Sequence, residues 1–224
     1  MNKSNQNANQ LGLIIGGSIS QGLDVRFSES LNIEQTKIGT FVTISGINSK
    51  FFGTVTDLRL DATDSKFSSH ISTNIPGLSK VLSDTTVYSL ATITPSLNIS
   101  EEHEVPQPAK SLPPHFSPVF RASNEDVAAV FGSEDHKHIW IGSPLDMEDA
   151  RVCLNLEDFV KRSNAVFGKS GTGKSFLTRI LLSGILQRQV ATNLIFDMHN
   201  EYGWESSTEN GYSAKGLKQL FGSR

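Results

Sequence analysis

Short apolar or alternating runs fill the first hundred positions of the chain and are separated by turn-forming residues. The runs that alternate, or that are rich in β-branched and aromatic residues, are Asp24–Phe27, Thr40–Ile44, Phe51–Leu60 and Thr86–Ile93. Gly39, Gly46 and Pro76 lie between them, and residues of these types favour turns. Short strands at this spacing are typical of antiparallel barrels and sandwiches. The pattern predicts a small antiparallel β-barrel over residues 11–100.

A helical period appears later, in Ser175–Gln189. The apolar residues on one broad face of this segment are Phe176, Leu177, Ile180, Leu181, Ile185 and Leu186. Arg179 and Arg188 fall mostly on the opposite face, as expected for an amphipathic helix. The pattern therefore predicts a helix here, and a shorter one at Asn124–Phe131 that ends at Gly132.

Residues 101–120 follow neither pattern. They contain five of the chain's eight prolines, namely Pro106, Pro108, Pro113, Pro114 and Pro118. Proline lacks the amide hydrogen that a strand ladder uses, and it restricts the residue before it. We therefore expect neither a helix nor a central strand over residues 101–118, and residues 101–120 are predicted to be a proline-rich linker.

Apolar runs predict four further strands in the second half of the chain, at Ile139–Gly142, Val152–Leu156, Asn164–Phe167 and Asn193–Met198. The last two flank the helix predicted at Ser175–Gln189. A strand, a helix and a second strand in this order are typical of an α/β unit with a parallel sheet.

A complete P-loop motif, G-x-x-x-x-G-K-[ST], lies between the third of these strands and the helix. Glycines allow the backbone to wrap a phosphate with its amides pointing inward, while a lysine reaches the β- and γ-phosphates and a serine hydroxyl ligates Mg²⁺. The spacing predicts a site for ATP and Mg²⁺. The residues predicted to bind the nucleotide are Gly168, Ser170, Gly171, Thr172, Gly173, Lys174, Ser175 and Phe176.

Two carboxylates lie at the carboxyl end of the strand predicted after the helix. Asp197 ends this strand and Glu201 comes shortly after it, at the strand end where open α/β sheets bind ligands. Asp197 and Ser175 are predicted to hold the metal, and Lys174, Asp197 and Glu201 to be catalytic. The alternative is a polar loop whose charges face solvent.

The composition excludes several classes of protein. Cys153 is the single cysteine, so the sequence can form no internal disulfide or cysteine zinc site. The net charge of −3 and the lack of a Lys/Arg run give no overall electrostatic reason for nucleic-acid binding. No run approaches the length of a membrane span, so we expect a cytoplasmic protein. The polar residues 1–10 are predicted to be a disordered tail.

The segments Asn164–Ser175 and Asp197–Tyr202 resemble those of the HerA family of hexameric ATPases, which is related to the FtsK-type DNA pumps. The family's second motif reads approximately D-x-H-G-E-Y, and Asn200 stands here where the motif has glycine. Asparagine tolerates left-handed backbone angles better than most residues. Residues 37–44 and 52–55 are similar to the HAS barrel that precedes such ATPase cores.

The resemblance implies a β + α/β protein. Its amino-terminal antiparallel barrel would be followed by the first part of a RecA-like P-loop domain over residues 121–224. It also implies a homo-hexameric ring that moves along double-stranded DNA and works with a nuclease or another DNA-processing effector. The ring, the DNA substrate and the partner do not follow from the composition or from the periodicity.

The sequence leaves two other functions open and suggests an incomplete core. No later strand ending in a carboxylate pair is found before Arg224, so we expect a truncated protein that hydrolyses ATP poorly by itself. One alternative is a small-molecule or nucleotide kinase with the same loop. The other is a non-catalytic, nucleotide-sensing assembly module.

Overall fold

A computed structural model describes residues 9–28, 33–62, 87–100, 103, 105–207 and 213–222. The chain divides into two compact units, Met1–Val130 with Pro144–Glu148 and Phe131–Ser143 with Asp149–Arg224. The predicted tail at residues 1–10 lies outside the described residues except for Asn9 and Gln10. The domain boundaries expected from the sequence stay predictions. Among the described residues, no helix combines the length and the apolar character that a membrane span requires.

The first unit contains a closed antiparallel β-barrel. Its strands are β1 Gln10–Ser18, β2 Gly22–Phe27, β3 Phe41–Ser45, β4 Lys50–Ala62, β5 Val87–Ile99, β6 Gln107–Pro108 and β7 Pro118–Arg121. Six of them pair in the order β2-β1-β7-β3-β4-β5, and β2 also pairs with β5, which closes the ring. The two-residue β6 adds to the far end of β5. The predicted antiparallel barrel is confirmed, although Thr86 of the last predicted run lies outside the described residues.

The interior of the barrel is filled by inward-facing side chains, which are every second residue along a strand. In β2, Leu23, Val25 and Phe27 are buried, while the Arg26 side chain is exposed and lies over the Tyr88 ring at 5.0 Å. Successive strand side chains point to opposite faces, so the alternation in the sequence separates core from surface. The buried members of the barrel core are Leu11, Ile14, Leu23, Val25, Phe27, Val42, Ile44, Phe51, Val55, Ala91, Ile93 and Val119.

One prediction for the proline-rich segment is wrong. The strand β7 lies between β1 and β3, where Phe120 pairs with Thr43 and Val119 with Ile44. Val119 is fully buried, so β7 is a central part of the barrel. Pro118 is compatible with this position because it is the first residue of the strand. There the lack of an amide hydrogen disturbs the hydrogen bonds between strands least.

The helix α1, Asn124–Phe131, follows the barrel with the predicted bounds. Ser123 Oγ accepts a hydrogen bond from the Asp126 amide at 3.2 Å, and Asp126 Oδ2 accepts one from the Ser123 amide at 2.9 Å. This reciprocal arrangement is a capping box, which satisfies amides that the first helical turn leaves unpaired.

The second unit contains a β-hairpin and a long helix. Its elements are β8 His138–Gly142, β9 Val152–Asn155, α2 Leu156–Val160, α3 Lys174–Arg188, β10 Ser206–Ser207, β11 Ser213–Ala214 and α4 Leu217–Phe221. A Cβ on Gly184 of α3 would lie 2.5 Å from Ile139 Cδ1, so the glycine allows the helix to pack closely on the hairpin. Ile139, Leu156 and Ile185 form the buried core of this packing.

The predicted α3 is confirmed, but the sheet expected on both sides of it is not formed among the described residues. Neither Asn164–Phe167 nor Asn193–Met198 is a strand, and the Phe167 and Phe196 side chains are 90% and 87% exposed. A strand is stable only when neighbouring strands pair with it, and a parallel sheet needs both faces covered. The RecA-like architecture therefore stays a prediction.

Candidate nucleotide-binding site

The glycine-rich loop forms a tight turn that leads directly into α3. Gly171 and Gly173 have left-handed φ angles of 78° and 90°, which glycine adopts without a Cβ clash. Thr172 closes the turn by donating from its amide and its hydroxyl to the carbonyl oxygen of Lys169, at 3.3 and 2.7 Å. Gly173 is the N-cap of α3, so the turn ends where the first unpaired amides of the helix begin.

Two further residues shape the loop. A Cβ on Gly168 would lie 2.5 Å from Thr172 Oγ1 and 3.3 Å from Lys174 Cγ, so a larger residue would displace both. Lys174 is the first residue of α3, and its Nζ donates to the carbonyl oxygen of Lys169 at 2.7 Å. The Lys174 ammonium therefore folds back over the loop and lies beside the backbone that precedes the helix.

These groups have the chemistry of an anion site. The amides of a helix amino terminus carry a partial positive charge, which favours phosphate oxygens. One ammonium group and one hydroxyl, from Lys174 and Ser175, stand beside them. This donor set fits a nucleoside triphosphate with Mg²⁺. Ser170 is exposed, and Phe176 is 69% exposed at the edge of the same turn.

A second loop, residues 197–203, is organised by the carboxylate of Asp197. Its Oδ1 accepts from the Glu201 amide at 2.9 Å, and its Oδ2 accepts from the amides of Tyr202 and Gly203 at 2.8 and 3.3 Å. The hydrogen bond from Tyr202, followed by those from Glu201 and Gly203, holds the pKa of Asp197 below its usual value. Asn200 has a φ of 57°, so the asparagine adopts the left-handed turn expected of it.

Glu201 is the point where this loop meets α3. Ser175 Oγ donates to Glu201 Oε2 at 2.6 Å. Arg179 Nε donates to the Glu201 carbonyl oxygen at 2.8 Å, and Arg179 Nη2 contacts the same oxygen. The structure therefore brings together two of the predicted site residues, Ser175 and Glu201.

Asp197, which the sequence predicts as a metal ligand, directs its hydrogen bonds to the backbone of its own loop. Sequence reasoning missed Arg179, because an arginine on the polar face of a helix usually faces solvent. The available signal was its spacing from Ser175. Residues at i and i+4 lie on the same face of a helix.

The helix α4 also contacts this loop. The amides of Leu217 and Lys218 donate to the carbonyl oxygens of Tyr202 and Gly203 at 2.8 and 3.2 Å. A Cβ on Gly216 would overlap the Gly203 carbonyl oxygen, so this approach requires glycine. The loop is therefore fixed by backbone contacts to α4 as well as by α3.

No group of three or more His, Cys, Asp or Glu side chains in the described ranges is arranged to hold a metal ion. A metal at this site would depend on Ser175, on the neighbouring carboxylates and on oxygens of the nucleotide. This is the usual way in which Mg²⁺ is bound with phosphates.

Comparison with known proteins finds similarity in the part of the chain that contains this site. Residues 139–220 match the family described as "Helicase HerA, central domain". A probable helicase of Methanocaldococcus jannaschii is 38% identical over 85 residues, which are 38% of this chain and 16% of the relative. The DNA double-strand break repair helicase HerA of Pyrococcus furiosus is 29% identical over 84 residues, which are 38% of this chain and 15% of the relative.

The matched segment thus spans about a sixth of the length of these relatives. The family match at residues 139–220 includes the hairpin β8–β9 apart from His138, the glycine-rich loop, α3 and the loop that carries Asp197 and Glu201. Residues 139–220 of the chain are therefore similar to the central domain of the HerA family.

Proposed function

We propose that the chain binds ATP with Mg²⁺ and is part of an ATP-driven translocase or helicase acting on double-stranded DNA. The observation that carries this proposal is the folded P-loop at the start of α3, with Ser175 in contact with Glu201, inside the segment that matches HerA. This match favours the translocase over the small-molecule kinase and over the nucleotide-sensing module.

Each residue has a distinct role in the proposed site. Lys174 and the backbone amides of residues 168–175 contact the β- and γ-phosphates, and Phe176 contacts the nucleotide beside them. Ser175 and, through water, Asp197 hold the metal. Mg²⁺, when bound, neutralises charge on the phosphate oxygens. Lys174, Asp197 and Glu201 form the catalytic group. Glu201 also accepts a hydrogen bond from the Ser175 hydroxyl.

The assembly and its partners are part of the same proposal. One relative is named a DNA double-strand break repair helicase and the other a probable helicase. We therefore propose double-stranded DNA as the substrate, a homo-hexameric ring as the working form, and a nuclease or other DNA-processing effector as a partner in the cytoplasm. The RecA-like core expected over residues 121–224 would provide the nucleotide site of each subunit.

Titration calorimetry with ATP and Mg²⁺ tests the nucleotide site. We expect Lys174→Ala to weaken binding at least about tenfold, because a hydrogen-bonded charge contributes about 1.5–3 kcal/mol. Lys161→Ala is the matched control, since Lys161 is 66% exposed and pairs with Asp158 in α2. Equal affinities of Lys174→Ala and the wild type would contradict the proposal.

A second experiment tests the assembly. The mass of the protein in solution is measured with and without ATP–Mg²⁺ and a double-stranded DNA fragment. We expect nucleotide and DNA to shift the protein toward a hexamer in the wild type but not in Lys174→Ala. A monomeric mass in the presence of both nucleotide and DNA would contradict the ring.

A further inference from the structure

We propose that Arg179 is a positioning residue that makes nucleotide binding depend on Mg²⁺, by holding Glu201 where its carboxylate orients the Ser175 hydroxyl. This inference rests on the proposed nucleotide function. It adds a residue outside the P-loop motif and gives that residue a defined task.

The spacing along α3 explains how one helix holds both ends of one residue. Ser175 and Arg179 lie at i and i+4, so their side chains leave the helix on the same face, one turn apart. The first donates to the Glu201 carboxylate at 2.6 Å and the second to the Glu201 carbonyl oxygen at 2.8 Å. The helix therefore fixes Glu201 by its side chain and by its backbone.

The guanidinium of Arg179 is suited to this task. Nε and Nη2 both lie against the same carbonyl oxygen, and Arg179 is half-buried. Hydrogen bonds from a charged donor are stronger than neutral ones, and the planar fork of arginine fixes their direction. Lysine would keep the charge but could not place two donors in this geometry.

The amide side of Glu201 is held independently. Asp197 Oδ1 accepts from the Glu201 amide at 2.9 Å. The backbone of Glu201 is thus held between the Asp197 carboxylate and the Arg179 guanidinium. With its backbone held in this way, the carboxylate of Glu201 stays within hydrogen-bond distance of the Ser175 hydroxyl.

The consequence for the metal follows from the hydroxyl of Ser175. A serine hydroxyl has one hydrogen and two lone pairs. Because its hydrogen is donated to Glu201, its lone pairs point away from the carboxylate and are available to a cation. If Glu201 moves, the hydroxyl loses this orientation, whereas the contacts of Lys174 and the loop amides with phosphate do not depend on it. Loss of Arg179 should therefore weaken Mg²⁺-dependent binding and leave metal-free binding unchanged.

The test compares the affinity for ADP in Mg²⁺ and in EDTA, by calorimetry on the full chain. For Arg179→Ala we expect about a tenfold loss of affinity in Mg²⁺, the scale of a hydrogen bond to a charged group, and no change in EDTA. For Arg179→Lys we expect a smaller loss of the same kind. Glu201→Ala removes the acceptor of the Ser175 hydrogen bond, so it should show the same selective loss as Arg179→Ala.

Arg188→Ala is the matched control, since Arg188 lies in the last turn of the same helix. It should leave both affinities unchanged. Circular dichroism shows whether each variant is folded, and Arg179→Lys keeps the test decisive if Arg179→Ala does not fold.

An equal loss in Mg²⁺ and EDTA would overturn the inference and show that Arg179 contacts the phosphates directly. No loss of affinity in either condition would also overturn it, while leaving the nucleotide function intact. If the wild type binds ADP in neither condition, the nucleotide function itself is wrong and this inference falls with it.

Discussion

The α-carbon of Gly12 in β1 lies so close to the carbonyl oxygen of Arg26 in β2 that a Cβ on Gly12 would overlap that oxygen. The two strands pair here, with Gly12 opposite Phe27. The obstacle is backbone, which cannot rotate away as a side chain can. Close pairing of β1 and β2 therefore depends on the absence of a side chain at this position.

Gly12→Ala should destabilise the barrel by about 1–3 kcal/mol, the usual cost of forcing extra atoms into a packed structure. Gly16→Ala is the matched control, because Gly16 lies in the same strand and a Cβ there meets nothing within 4 Å. Denaturant unfolding followed by circular dichroism measures both. Equal free energies of unfolding for the two variants would contradict the predicted overlap.

Val119→Ala should destabilise the barrel by about 2 kcal/mol, through lost apolar burial and the cavity that remains. Val119 is fully buried in β7, whereas Val105, in the same proline-rich segment, is 65% exposed. Val105→Ala should therefore change the free energy of unfolding by less than about 0.5 kcal/mol. Similar effects of the two substitutions would show that β7 is not part of the core.

Asp146 should make the stability of the first unit depend on acid pH. Its Oδ1 lies 2.8 Å from Lys37 Nζ, and its Oδ2 accepts from Thr40 Oγ1 at 2.8 Å. The hydrogen bond from Lys37, followed by that from Thr40, lowers the pKa of Asp146. A lowered pKa adds stability that is present above the unfolded value of about 3.9 and is lost as the pH falls through the folded value.

The measurement is the difference in the free energy of unfolding between the wild type and Asp146→Asn. We expect this difference to be constant from neutral pH down to about 5 and to shrink as the pH falls below about 4. A difference that grows in acid would contradict the direction of the shift.

Asn200 should tolerate glycine but not valine. Its φ of 57° is left-handed, and this conformation costs about 1–2 kcal/mol for a residue with an ordinary side chain. Asn200→Val should therefore be less stable than Asn200→Gly by about this amount in denaturant unfolding. It should also expose the amides of Glu201 and Tyr202 to faster hydrogen exchange. Equal stability of the two variants would show that the turn is not needed.

The sequence predicts the barrel and α3 well because local periodicity determines both. In β2 the alternation of Leu23, Arg26 and Phe27 already separates the inside from the outside. The strand β7 escaped prediction because Pro118 and the prolines before it suggest an extended segment. Only its long-range pairing with β1 and β3 shows that it is central. Pairing partners far apart in sequence leave no periodic signal.

The site was predictable in its loop and less so in its supports. The spacing of Gly168, Gly173 and Lys174 indicates the turn, because few backbone arrangements need glycines so placed. The hydrogen bond from Arg179 to the Glu201 carbonyl oxygen could not be predicted in this way. Every residue has a backbone carbonyl, so the residue types do not show which one accepts. The contacts of Asp197 could not be predicted either. Its carboxylate accepts hydrogen bonds from three backbone amides, and the sequence does not distinguish such an aspartate from any other.

Phe167, Leu194, Phe196 and Met198 each expose more than four fifths of their surface to water. Sulfate and similar salts raise the free energy of exposing apolar surface to water. They should therefore promote association of protein molecules through these side chains. A net charge of −3 provides weak repulsion against this attraction. The colloidal behaviour of the protein in concentrated or salt-rich solution therefore depends directly on the segments around the glycine-rich loop.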